Sequence, residues 1–206
     1  MAVTYPLTPP AAPGPKSFSG AANNAVGLAV SPFTWSSQAQ QWQGEHWEWS
    51  FQMPAMSQAT ALAWVAFLTA MRGQYGTCLL KDPTYDGPTG IATGTPLVNG
   101  AQAAQAIVLN TDGWTANKTG ILKAGDYIQL TGASKHLHMV VQDANSDSGG
   151  HAALDIFPRL RESVADNQAI VLVNPVGTFR LAGNKRNWSV NEALNYGISF
   201  DVVEAL

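Results

Sequence analysis

Two histidines give this sequence its nearest approach to a metal site. His136 and His138 lie two apart on a predicted strand, so both side chains point to one face and could supply two zinc ligands. No pattern in the sequence identifies a third ligand, since Cys78 is the only cysteine and no His-x-x-x-His motif lies nearby. A polar strand face is the simpler interpretation, and we expect neither a metal nor a cofactor.

An acidic segment further along the chain resembles the opening of a calcium loop. Asp143, Asn145 and Asp147 have the required spacing, but Ser148 stands where that loop needs glycine, and Leu154 stands where it needs a bidentate glutamate. A hairpin turn explains the same run of Asp, Asn, Ser and Gly residues.

Nucleophilic and phosphate-binding patterns are also incomplete. Ser134 and His136 are close in sequence, but neither a nucleophile elbow nor a recognisable oxyanion loop accompanies them. The glycines at Gly120 and Gly125 are not followed by the Gly-Lys-Ser/Thr that a phosphate loop requires. We therefore expect no catalytic residues, and a structural or binding protein rather than an enzyme.

Tryptophan is the one chemically distinctive residue that is abundant, with 7 copies. Sugar-binding modules stack pyranose rings on exposed aromatic side chains, and Trp114, at a predicted Asp-Gly-Trp turn, is the candidate for such stacking. Trp47 and Trp49 instead alternate with polar residues on one strand, which favours a place in a core or a subunit interface.

The composition points to assembly. Charged residues make up only 12% of the chain, about half the usual share, so much of the surface is expected to be covered by other protein. The net charge of −3 and the absence of a basic stripe argue against nucleic-acid binding, and the pairs Arg159/Arg161 and Lys185/Arg186 are interpreted as ordinary surface charge. The longest apolar run, Ala61 to Met71, is too short to span a bilayer, and no signal peptide is evident, which predicts a non-secreted, non-membrane protein.

Local patterns predict an extended arm, a strand and a helix in the first part of the chain. The Pro- and Gly-rich segment from Met1 to Gly20 forbids a helix or a central strand, whereas Glu45 to Met53 alternates apolar and polar residues. Ser57 is placed to cap a helix over about 57–72, with Gly73 in the left-handed position at its end. A strand from Gln74 to Leu80 follows.

The predicted helix is apolar on all sides. A helix of this kind must be covered all round, either by its own fold or, on one face, by a neighbouring subunit. The second possibility makes its large apolar residues candidate interface residues: Leu62, Trp64, Val65, Phe67, Leu68 and Met71.

The rest of the chain predicts a second β module inserted into the first. Asp82 to Gly100 is a boundary loop rich in Gly, Pro and Thr. Five predicted strands follow, at Ala106–Leu109, Tyr127–Leu130, Leu137–Gln142, Ala152–Phe157 and Ile170–Val173. Two last strands, Phe179–Leu181 and Ile198–Val203, complete the first domain. The expected organisation is a β domain over 1–86 plus 175–206, with residues 87–174 inserted.

The chain resembles the distal tail proteins of bacteriophages with long, non-contractile tails. The segments that carry this resemblance are Trp47 to Leu80, Gly120 to Leu130, Leu154 to Arg161, Asn174 to Leu181 and Tyr196 to Phe200. These segments are distributed between Trp47 and Phe200, so the resemblance extends over most of the chain, and other tail-tube and minor tail proteins share this architecture.

The resemblance implies a mainly β fold with one principal α-helix: a tail-tube-like split β-barrel or sandwich with an inserted small β-barrel or β-sandwich module. It implies a virion structural protein, made in the host bacterial cytoplasm, that forms a hexameric ring between the tail-tube protein and the baseplate hub. DNA would pass through the ring only as transient cargo, which suits a mildly acidic chain because like charges repel phosphates. A carbohydrate- or receptor-binding module of the tail tip, or another minor tail protein, is the alternative.

Overall fold

The computed structural model describes residues 2–132 and 135–206. Strands make up 42% of the chain and helix 6%, and one of the two sheets is a nearly closed six-stranded barrel. The predicted fold class, mainly β with one principal helix and a barrel-like sheet, is confirmed.

The first sheet is built from the two ends of the sequence. Its strands run in the order β1-β2-β12-β10-β3, with β11 also paired to β12, and every pairing is antiparallel. Their bounds are β1 Ser17–Val30, β2 Ser37–Gln52, β3 Cys78–Leu80, β10 Gly177–Leu181, β11 Trp188–Val190 and β12 Tyr196–Glu204.

Alternation along the second half of β2 places aromatic side chains in the first core, as the sequence predicts. Trp47, Trp49 and Phe51 are buried, while the polar residues between them are more exposed. Trp49 stacks on Phe179 of β10 at 4.3 Å between ring centroids, and Phe51 stacks on Phe200 of β12 at 5.1 Å. These contacts join three adjacent strands into one aromatic layer.

The helix α1, Gln58–Ala70, covers this layer and agrees with the prediction to within two residues. Gly73 has a φ of +74°, which matches its predicted left-handed position after the helix. Ser57 stands at the N-cap position, but its side chain makes no capping hydrogen bond to the backbone.

The N-terminal arm crosses the helix and one edge of the first sheet. The Tyr5 hydroxyl donates to the carbonyl of Ala70 at 2.6 Å, and the Trp64 indole N–H donates to the carbonyl of Ala12 at 3.3 Å. Leu7 forms a parallel bridge with Cys78 at the outer side of β3. The arm therefore covers part of the apolar helix surface that the sequence left without a partner.

The second sheet is a small barrel between residues 94 and 171. It runs in the order β4-β5-β8-β7-β6-β9, and a bridge from Leu97 to Ala169 brings its first and last strands together. The bounds are β4 Gly94–Val98, β5 Val108–Trp114, β6 Tyr127–Leu130, β7 Leu137–Val140, β8 Ala152–Phe157 and β9 Ile170–Val171. The strand β4 lies in the segment that was predicted to be a loop, because Gly94 and Pro96 hide its pattern.

Strands of the two sheets fall on opposite sides of the predicted boundaries at 86/87 and 174/175. The two crossings are adjacent, since the Asn174 backbone N–H donates to the carbonyl of Asp86 at 3.3 Å. The Lys81 ammonium binds both residues, at 2.6 Å from Asn174 Oδ1 and 3.2 Å from Asp86 Oδ1.

The barrel nevertheless packs firmly against the first sheet. The Trp47 indole donates to the carbonyl of Leu137 at 3.0 Å and meets Phe157 edge-on at 5.0 Å. Tyr127 and Leu137 of the barrel belong to the same buried cluster as Trp47. The inserted segment thus supplies part of the first core in addition to its own core around Ile128 and Leu154.

Buried ion pairs reinforce this junction, so the prediction that Arg159 and Arg161 are surface charges is wrong. The Arg159 guanidinium donates to Glu45 Oε1 at 2.6 Å, and Arg161 donates to the two Glu204 oxygens at 2.8 and 3.1 Å. Arg161 also donates to the carbonyl of Glu45. Glu45 and Glu204 are almost fully buried, so each carboxylate depends on the arginine that the barrel brings to it.

Candidate assembly interface

The strands β1 and β2 form a hairpin that extends beyond the first sheet. β12 pairs only with the residues of β2 from Glu48 to Gln52, whereas β1 pairs with β2 over the whole length of β2. A bulge near Asn23–Ala25 separates the inner part of the hairpin from an outer part, from Ala25 to Trp42, which we call the outer hairpin. At about 3.4 Å per residue, its strands reach on the order of 20 Å past the bulge.

The outer hairpin exposes large apolar side chains on both faces. Val26, Leu28 and Val30 alternate along β1 and therefore share one face, while Trp42 lies opposite Ala25 on the other. At the turn, Phe33 is 93% exposed and Trp35 is 83% exposed. Two-stranded ribbons are at best marginally stable alone in water, and contiguous exposed apolar surface marks an interaction site.

Charge is absent from this whole region. No Asp, Glu, Lys or Arg occurs from Ser17 to Gly44, and in the part of the chain that the structure describes β1 pairs with no strand other than β2. Proteins usually protect such an edge strand with lysine, proline or strong bulges, because its free N–H and C=O groups can pair with another chain. Apart from the irregularity near Asn23, β1 has none of these protections.

A second apolar strand lies at another edge of the first sheet. β11 pairs only with β12 among the described strands, and its Trp188 and Val190 are about half exposed. Leu194, in the turn that follows, is also exposed. The far edge at β3 is different, because Leu7 of the N-terminal arm bridges to it. Within the described residues, the first sheet therefore has two separate uncovered edges, one on β1 and one on β11.

The predicted interface residues on α1 lie mostly inside the chain's own core. Trp64, Phe67, Leu68 and Met71 are buried against the sheet and the arm, and Trp64 lies 6.0 Å from the Phe200 ring. For these four, the expectation of an exposed contact face is wrong, since the N-terminal arm covers the side that sequence periodicity left open. Leu62, which is 51% exposed, and the half-buried Val65 are the two that reach the surface, and their role in an interface stays a prediction.

Trp114 does not offer a stacking surface. Its side chain is 4% exposed, within the core of the barrel, and its indole N–H donates to Thr111 Oγ1 at 2.8 Å. The expectation that it lies exposed at a turn is therefore wrong. Gly113 does adopt a left-handed φ of +74°, but it lies within strand β5, where the register with β4 is irregular, and no turn forms there.

His136 and His138 lie in different surroundings, since His138 is fully buried and His136 is partly buried. Nδ1 of His138 lies 2.7 Å from the carbonyl oxygen of Pro158, and burial lowers the pKa of this histidine to about 4. Within residues 2–132 and 135–206, no cluster of three or more His, Cys, Asp or Glu side chains is placed to hold a metal ion. Ser134, the predicted neighbour of His136, lies outside the described residues.

The acidic segment that resembles a calcium loop accepts hydrogen bonds from backbone N–H groups, within one turn and from a neighbouring loop. Asp143 accepts from the Ala124 N–H, Asn145 accepts from the Gly120 N–H, and Asp147 accepts from the N–H groups of Gly149 and His151. Asp147 thus closes the predicted turn, whereas Asp143 and Asn145 bind the distant segment from Gly120 to Ala124.

Sequence reasoning missed the outer hairpin, although a signal for it is present. Val26, Leu28 and Val30 alternate with small residues, and Ser31-Pro32 forms a turn before a second alternating run. The Asn, Gly and Ala residues between them have low strand propensity and conceal the pattern. Read together with the absence of charge, the alternation would have indicated a hairpin.

Comparison with known proteins gives no family for this chain. No protein-family model matches it, and no curated protein matches its sequence. Within the described residues, no helix has both the length and the apolar character needed to cross a bilayer.

Proposed function

We propose that this chain is a structural protein that assembles with copies of itself into a ring, and that the ring belongs to the distal end of a phage tail. The observation that carries the first part is the outer hairpin, which is charge-free, exposes large apolar side chains and has an open strand edge. The segments that resemble distal tail proteins motivate the second part. The proposed role is architectural, and no catalytic residue is assigned.

Ring closure requires two different surfaces on each copy. When unlike surfaces meet head to tail, they generate a ring if the rotation closes, and otherwise an open filament. The outer hairpin and the apolar edge at β11 supply two such surfaces at separate edges of one sheet. Pairing of strand edges between copies satisfies the free backbone groups of β1 and removes Val26 and Leu28 from water.

The proposed partners are those expected of a ring at the end of a tail tube. They are further copies of the chain, the tail-tube protein on one side and the baseplate hub on the other, with DNA passing through the centre. The net charge of −3 and the charge-free hairpin support a channel wall to which phosphates do not adhere.

Assembly is tested by placing a charge on the outer hairpin. Leu28→Lys puts an unpaired ammonium into the proposed contact, and Ile91→Lys is the matched control, because Ile91 is similarly exposed on the barrel side of the chain. Light scattering over a wide concentration range, together with negative-stain electron microscopy, should show rings for the unaltered chain and for the control. Leu28→Lys should remain a folded monomer.

Two results would contradict the proposal. One is an unaltered chain that stays monomeric at every concentration, including in the presence of tail-tube protein. The other is a Leu28→Lys variant that forms the same rings as the control. The tail location has its own test, in which an antibody against the chain should label the tail tip of particles that contain it, and labelling elsewhere would refute it.

A further inference from the structure

A cleft of about 680 Å³, lined by both polar and apolar residues, opens beside the junction of the two sheets. It lies on the face of β10 opposite the aromatic core, because Phe179 and Leu181 point into that core while Thr178 and Arg180 point the other way. Its volume falls in the range of small-molecule sites, about 300–1,000 Å³.

Two cationic side chains flank the cleft without an ion-pair partner among the described residues. The backbone of Lys135 is held beside β10, since its carbonyl accepts from the Thr178 N–H at 2.8 Å and from the Thr178 hydroxyl at 3.0 Å. Arg180 lies two residues beyond Thr178 on the same face of β10, which places it about 7 Å further along the strand. Both line the cleft, and neither takes part in an ion pair in the described part of the chain.

The cleft also contains unused hydrogen-bonding groups. Nδ1 of His136 and Oε1 of Gln105 are buried, and neither has a hydrogen-bond partner within the described residues. Nδ1 of His136 lies 3.8 Å from Glu204 Oε1, which is beyond hydrogen-bonding distance. Buried polar groups in proteins are normally paired, so two such atoms in one cleft point to an additional binding partner.

The neighbouring charges leave the cleft with cationic character. Arg161 also lines it, but its guanidinium is occupied by Glu204. Glu162 contributes an exposed carboxylate to the lining, and the remaining polar lining includes Thr77 and Gln43. Amides and hydroxyls of this kind pair with the hydroxyl groups of a ligand, whereas the unpaired ammonium and guanidinium groups pair with an anionic group.

We infer that this cleft binds a small polyhydroxylated anion, such as a sugar phosphate or an acidic sugar, with its anionic group between Lys135 and Arg180. His136 and Gln105 hold the hydroxyl groups of the same ligand deeper in the cleft. The site is complete within one chain, so this inference does not depend on ring assembly.

Calorimetric titration with four probes tests the site: glucose 6-phosphate, glucuronate, inorganic phosphate and glucose, all at one ionic strength. At least one of the two sugar anions should bind saturably, and more tightly than glucose. Comparison of these two probes distinguishes a phosphate ligand from a carboxylate ligand.

Substitutions test whether the ligand binds in the cleft between Lys135 and Arg180. Lys135→Gln and Arg180→Gln should each weaken the affinity roughly tenfold to a hundredfold, because each removes a charge-assisted hydrogen bond. Lys123→Gln, at an exposed lysine on the barrel, should leave it unchanged. Thermal melts without ligand confirm that each variant is folded, and Glu162→Gln, which keeps both cations, should bind at least as tightly as the unaltered chain.

Equal binding of glucose and the sugar anions would overturn the inference, as would sugar-anion binding that survives both cation substitutions. If inorganic phosphate binds through Lys135 and Arg180 but neither sugar anion does, the polyhydroxylated part of the ligand is refuted.

Discussion

Removal of the Arg161 guanidinium tests whether buried ion pairs hold the two sheets together. Arg161→Met keeps most of the apolar stem but leaves the Glu204 carboxylate, 4% exposed, with the Trp47 backbone N–H at 3.2 Å as its remaining hydrogen-bond donor. Burial raises the pKa of Glu204, but the nearby His136 ring, Arg161 and the Trp47 N–H outweigh it, so the net shift is downward. Loss of one partner from a buried pair typically destabilises a protein by about 3–5 kcal/mol, and we expect a loss of this size.

Urea denaturation measures this change in the free energy of unfolding, and a double-mutant cycle shows whether it arises from the pair of Arg161 and Glu204. Glu204→Gln in the Arg161→Met background should recover part of the loss, because no buried charge then remains without a partner. Arg72→Met, at an exposed arginine, is the control and should change the free energy of unfolding by less than about 0.5 kcal/mol. A loss below about 1 kcal/mol for Arg161→Met, or simple additivity in the cycle, would refute the reasoning.

Two further predictions concern the buried histidine and the helix. Because burial lowers the pKa of His138 from 6.5 to about 4, the unfolded chain takes up the proton first. The free energy of unfolding should therefore fall by on the order of 3 kcal/mol as pH drops from about 6.5 to 4. His138→Gln should flatten this part of the stability profile measured by urea denaturation. An unchanged slope would contradict the assignment of this pH dependence to His138. On the helix, Leu68→Ala should lose about 2–5 kcal/mol in thermal or urea unfolding, whereas Leu62→Ala should lose under about 0.5 kcal/mol, and equal losses would show that the assigned helix faces are wrong.

The sequence predicts best those elements whose period directly reflects burial. The alternation around Trp47 and Trp49 predicts the central strand, because a strand with one buried face has an apolar residue at every second position. The apolar run from Ala61 to Met71 predicts the helix, because a helix that is enclosed on all sides has few polar positions. Periodicity identifies a covered surface but not what covers it. The helix is covered mainly by its own sheet and by an arm whose prolines mark it only as extended.

Features that depend on distant contacts were not predictable in the same way. Arg161 and Glu204 are 43 residues apart, and Arg159 and Glu45 are 114 apart, so no local pattern distinguishes these buried pairs from surface charge. For Trp114, the Asp-Gly turn signal is wrong, because these residues belong to strand β5, and the barrel that encloses the indole is formed by distant strands. The cleft beside β10 is likewise assembled from segments that the sequence keeps apart.

Hydrogen–deuterium exchange of the outer hairpin, followed as a function of protein concentration, tests the central claim most directly. Assembly through this element predicts that amides between Ala25 and Trp42 exchange quickly in dilute monomer and become protected as rings form, because the β1 edge and its apolar faces are then covered. Amides of the barrel core around Leu154 should be equally protected at both concentrations. Rings that form while the outer hairpin continues to exchange freely would contradict the account.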